Sequence, residues 1–145
     1  MEILLVEDSP GDVRLTLEVF RDTNPSVGLH VAEDGTEAMS FLRREGSHAS
    51  APRPDLILLD LNMPKMNGHE ALAEIKGDPH LRRIPVVALT TSKAEEDIVR
   101  SYDLGVNSFI SKPVTFEGLA AVTQTLADYW FELVKLPERD GDGDR

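Results

Sequence analysis

The sequence predicts an α/β protein whose five strands form one doubly wound parallel sheet flanked by five helices. Three observations lead there. Five short apolar runs rich in branched residues recur along the chain, and segments of helical periodicity lie between all of them. The first, third and fourth runs are apolar almost throughout, as central strands covered on both faces must be. Strands alternating with helices imply parallel pairing.

In chain order, strands are expected at residues 3–6, 27–31, 56–59, 84–89 and 107–110. The first helix should span about 11–21, where Val13, Leu17 and Phe20 repeat at helical spacing after the start signal Ser9-Pro10. Further helices are expected at 35–44, 68–76 and 94–104, the last stopped by Gly105, and a fifth begins near Thr115. Residues 45–54 (EGSHASAPRP) read as a plain surface connection. In a doubly wound sheet it would lie at the edge away from the ligand crevice. Residues 1–136 form one domain, and the acidic, glycine-bearing segment 137–145 is expected to be a flexible tail.

The 145-residue length fits a single domain, and 41% hydrophobic with 28% charged residues is ordinary globular composition. A net charge of -11 without a basic patch speaks against nucleic-acid binding. The absence of cysteine excludes disulfides and thiolate metal sites and fits a reducing compartment, so a cytoplasmic location is expected. Neither a basic leader nor an apolar run of spanning length occurs, so no membrane role is expected.

Ligands of such a sheet bind at the carboxyl ends of the strands. Strand one ends in Glu7-Asp8, strand three in Asp60, strand four in Thr90-Thr91 and strand five in Ser111-Lys112-Pro113. Any one of these could be an unremarkable cap or surface residue. Their convergence from four segments on one predicted edge is what points to a site. Three carboxylates in one pocket raise one another's pKa unless a cation compensates. All candidate ligands are oxygens, which suits Mg²⁺, or Mn²⁺, rather than zinc. Phosphoryl transfer is catalysed largely by positioning and charge neutralisation, a task that a metal and the Lys112 ammonium can share. Asp60 is the candidate nucleophile, and Thr90 the candidate hydroxyl that senses its modification.

These residues carry a family resemblance. ILLVED at 3–8, LILLDLNMP at 56–64 followed by Gly68, ALTTS at 88–92 and FISKP at 109–113 resemble, in order, the receiver domains of bacterial two-component response regulators. The resemblance implies a flavodoxin-like sheet of order 2-1-3-4-5 and Asp60 as phosphoacceptor. It implies Asp8, Asp60 and the Asn62 backbone carbonyl as direct Mg²⁺ ligands, with Glu7 ligating through water. It also implies a cis peptide at Lys112-Pro113 and Phe109 as the switch aromatic that moves when Thr90 is drawn toward the phosphoryl group. Glu7 stands where many members have aspartate, and Thr91 is bulkier than the alanine often found there. DVRLTLEVF at 12–20, the 45–54 insertion and YWFELVKLP at 129–137 look like stand-alone regulators paired with bacterial phytochrome histidine kinases, which would make such a kinase the phosphoryl donor.

The chain ends about where a receiver does, so output is expected through protein contacts. Along helix five, Phe116, Ala120, Trp130, Phe131 and Val134 form one apolar stripe, and Leu119, Val122, Leu126, Tyr129, Leu133 and Leu136 form another. Together they span roughly 220° of the helix, against about 100° needed to lie on a sheet. The excess predicts a homodimer through helix five, with Leu119, Val122, Leu126, Tyr129, Trp130 and Leu133 as candidates, helix four and strand five adjoining; the alternative is a tail after Trp130 folded back on its own domain. Three other functions fit the sequence less well. A pseudo-receiver would lack part of the acidic set, and a haloacid-dehalogenase-type phosphohydrolase would have an acid where Asn62 stands. A flavin binder would need a hydroxyl- and glycine-rich loop where Glu7-Asp8 would repel phosphate.

Overall fold

The computed structural model describes residues 1–61, 68–90, 95–113 and 115–130. Its elements are β1 (Glu2–Val6), α1 (Pro10–Thr23), β2 (Gly28–Ala32), α2 (Gly35–Leu42), β3 (Leu56–Asp60), α3 (Gly68–Gly77), β4 (Val86–Thr90), α4 (Glu95–Asp103), β5 (Ser108–Ser111) and α5 (Phe116–Asp128). All strand pairs are parallel, and the order is β2-β1-β3-β4-β5. The expected α/β class and strand order are both found.

Side-chain alternation sorts the core into two layers. Leu4, Val6, Ile57, Leu59, Val86 and Ala88 face α2 and α3 through Met39, Leu42, Leu72 and Ile75. Ile3, Leu5, Leu56, Leu58, Val87 and Leu89 face α1 and α5 through Phe20, Leu126, Ala127 and Trp130. Three helix starts are held by side chains: Ser9 Oγ accepts from Asp12 N, Asp34 Oδ1 from Glu37 N and Thr115 Oγ1 from Gly118 N.

Boundaries shift where a local group intervenes. Pro85 has no N–H to donate, and β4 starts at Val86, whose amide bonds the Asn107 side chain at 2.9 Å. Helix α2 stops at Leu42 because Arg44 adopts a left-handed φ of 57°. The segment 45–54 is largely exposed, as expected of a surface connection, and it carries local order. It contains a 3-10 turn at Gly46–His48, and Arg44 Nε and Arg53 Nη1 donate to the carbonyls of Ala51 and Leu42 at 2.9 and 2.7 Å.

Helix α5 requires a larger correction. Leu119, Leu126 and Trp130, expected on a second, intermolecular surface, are buried within the chain, Val122 is half-buried, and Tyr129 is 50% exposed. The extra apolar width is covered because α5 lies beside α1 as well as on the sheet, so residues of both stripes fall into one buried face. Leu133, Phe131, Val134, Leu136 and the tail 137–145 lie outside the described residues. Among the described residues no helix is long and apolar enough to cross a membrane.

Candidate functional site

Strand register assembles the site. Val6 is level with Leu59, so the next residues, Glu7 and Asp60, stand side by side at the carboxyl edge of the sheet. Both continue the alternation that faces α1 and α5, since they follow Leu5 and Leu58 by two residues. Asp8 follows Glu7. One carboxylate oxygen from each of Glu7, Asp8 and Asp60 lies within 4.8 Å of the others, with Glu7 and Asp60 buried and Asp8 exposed.

Lys112, one residue past β5, reaches into this cluster. Its Nζ lies 2.5 Å from Glu7 Oε1 and 3.6 Å from Asp60 Oδ2, and the side chain is only 9% exposed. A third carboxylate, Asp12 Oδ2 in the first turn of α1, lies 2.7 Å from the same nitrogen. Sequence reasoning missed Asp12. The one available signal was its position a helical turn beyond Asp8, at a helix start on the same edge. Glu7 Oε2 also accepts the Ser9 amide at 3.2 Å.

The electrostatics follow from burial. Desolvation, then the hydrogen bond and charge of Asp60, push Glu7 from 4.5 up to about 7, although Lys112 pulls the other way. For Lys112, burial works against the ammonium, but the hydrogen bonds it donates to Asp12 and Glu7 and the charges of Glu7 and Asp60 prevail and raise its pKa. Three carboxylates thus meet one ammonium, and a fourth, Asp8, lies beside two of them. Such an excess of hard, anionic oxygen at a partly buried edge fits a divalent cation of the Mg²⁺ or Mn²⁺ kind.

Thr90 ends β4 and pairs with Ser111 along the backbone, while its side chain lies outside the described residues, as do Asn62, Pro64 and Thr91. Phe109 is half-buried against the layer facing α2 and α3, and its amide donates to Tyr102 Oη of α4 at 3.2 Å. No peptide among the described residues is cis, which corrects the expectation for Lys112-Pro113. The physical reason is that an X-Pro bond favours trans by about 0.5–1 kcal/mol unless its surroundings select the other isomer.

A doubly wound sheet with buried carboxylates and a lysine at its carboxyl edge defines a receiver class of protein. Residues 3–124 match the response regulator receiver domain, and the chain belongs to that family. Among curated relatives it is 48% identical over 135 residues to response regulator Rcp1 of Synechocystis sp., covering 93% of this chain and 92% of that one. The phosphorylated cyanobacterial phytochrome response regulator RcpA superposes with a TM-score of 0.91 at 47% identity, covering 94% of this chain and 98% of that one. The Mn²⁺-bound form of Rcp1 gives 0.90 at 47% identity, covering 94% and 99%.

Proposed function

We propose that the chain is a phosphoacceptor in a two-component relay and that Asp60 takes the phosphoryl group from a phosphohistidine on a sensor kinase. The observation that carries this reading is the meeting of Lys112 with Glu7 and Asp60 beside Asp8. A carboxylate oxygen of Asp60 attacks phosphorus, the P–N bond breaks, and its electron pair returns to the donor imidazole. Lys112 donates to a phosphoryl oxygen, and the Thr90 hydroxyl binds another. Asp8, Asp60 and the Asn62 carbonyl would hold Mg²⁺, with Glu7 reaching it through water; when bound, the ion neutralises charge building on the transferred group.

Similarity to a regulator described as a cyanobacterial phytochrome response regulator supports a phytochrome-class histidine kinase as the donor. The protein turns over no external substrate in this reading. It acts in the cytoplasm and signals through contacts made by α4, β5 and α5 as Thr90 and Phe109 rearrange. A homodimer on this face is supported by the exposure of Val99, Tyr102 and Tyr129 and by a groove lined by Ile110, Ala121, Val122, Thr125 and Leu126.

The test is incubation with a small acyl phosphate and Mg²⁺, followed by intact mass and base-labile phosphate. Wild type should gain one phosphoryl group and Asp60→Asn none. Equal labelling of the variant would move the acceptor elsewhere, and an unlabelled wild type would favour a pseudo-receiver.

A further inference from the structure

Lys112 and a divalent cation draw on the same two carboxylates, Glu7 and Asp60. The ammonium contacts Glu7 Oε1 at 2.5 Å and stands 3.6 Å from Asp60 Oδ2, and both carboxylates belong to the cluster suited to a metal. When a cation binds those carboxylates, Lys112 faces like charge at short range. At 9% exposure its ammonium cannot offset that repulsion by hydration where it stands. A second partner outside the cluster removes the conflict.

Asp12 is placed to be that partner. Its Oδ2 lies 2.7 Å from Lys112 Nζ, yet it comes from α1 rather than a strand end and is not among the carboxylates gathered within 4.8 Å of one another. Its backbone is fixed on both sides: Ser9 Oγ accepts from its amide at 3.4 Å, and its carbonyl accepts from Thr16 Oγ1 at 2.8 Å. An acidic side chain in the first turn is also favoured by the helix dipole.

We propose that Asp12 is a positioning residue that keeps Lys112 paired outside the metal cluster, so that the ammonium and a divalent cation occupy the site together. This rests on the reading of Glu7, Asp8 and Asp60 as a cation site and adds to it a fourth acid with a different task. Without Asp12, Lys112 falls back on Glu7 and Asp60 and competes with the ion. With it, one N–H stays on α1 and the remaining donors are available toward Asp60.

The test is calorimetric titration of MgCl₂ into the metal-free chain for wild type, Asp12→Asn, Lys112→Met and the double variant, with no phosphodonor present. Asp12→Asn should weaken Mg²⁺ binding roughly three- to tenfold, within the range of coupling between contacting residues, and should have little effect once Lys112 is methionine. Asp12→Glu, which keeps the charge, should recover part of the loss, and a thermal melt of each variant establishes that it is folded. The inference is overturned if Asp12→Asn binds as wild type does. It is equally overturned if the variant weakens binding by the same factor with and without Lys112, which would be the plain loss of a nearby charge. A wild-type chain that binds no Mg²⁺ overturns the functional reading and this inference with it, whereas normal wild-type binding beside an unresponsive Asp12→Asn overturns this inference alone.

Discussion

Glu7 holds its proton more tightly in the folded chain than in the unfolded one, because burial and the neighbouring Asp60 raise its pKa from 4.5 to about 7. Between those values the folded state binds more protons, so the stability contributed by this group is lost as pH rises through that window. In chelator, the chain should be less stable at pH 8 than near pH 5 by up to about 3 kcal/mol from Glu7. Lys112 contributes no slope there, since its raised pKa acts at far higher pH. Denaturant midpoints against pH for wild type and Glu7→Gln measure the effect, and an undiminished slope in the variant would refute it. Residues such as Glu7, Asp8, Asp60 and Lys112 could be read from sequence because each stands at or just past the end of a strand, where position along the chain dictates position in space. Asp12 could not, since its contact with Lys112 depends on how α1 lies across the sheet edge.

At the scale of elements, α3 shows how closely helix and site are joined. A β-carbon on Gly68 would collide with the Cα of Leu61 and approach the carbonyl oxygen of Asp60 at 2.6 Å, so the helix starts directly on the backbone that carries Asp60. Gly68→Ala should lower stability by about 1–3 kcal/mol, the usual cost of overpacking. Gly77, at the far end of the same helix, has nothing within 4 Å of its β-carbon position, so Gly77→Ala should be neutral or stabilising by up to about 1 kcal/mol. Urea unfolding of the two variants separates local crowding from a general intolerance of α3, and equal losses would contradict the crowding account. Element identity was legible because apolar runs and helical spacing report burial directly. Their ends were not, because Pro85, Asn107 and Arg44 act at single backbone positions that periodicity does not register.

For the molecule as a whole, the outer face of α5 has to be separated from its buried face before any assembly can be tested. The apolar width of this helix was legible in sequence, but its meaning was not: a helix wedged between a sheet and α1 buries more of its circumference than one on a sheet alone. Leu126 is 6% exposed and packs with Phe20 and Trp130, so Leu126→Ala should cost about 2–5 kcal/mol of folding stability whatever the oligomeric state. Ala121 is exposed beside Val122, Thr125 and Ile110, where a charged side chain meets solvent in a monomer but would be desolvated between two copies. Sedimentation at tens of micromolar, with and without acyl phosphate, should therefore show dimeric wild type, a shift of Ala121→Glu toward monomer, and an unchanged melting temperature measured in the dilute, dissociated protein. A wild type that stays monomeric under both conditions would leave α5 as a purely intramolecular helix, its groove at β5 belonging to the fold rather than to a second chain.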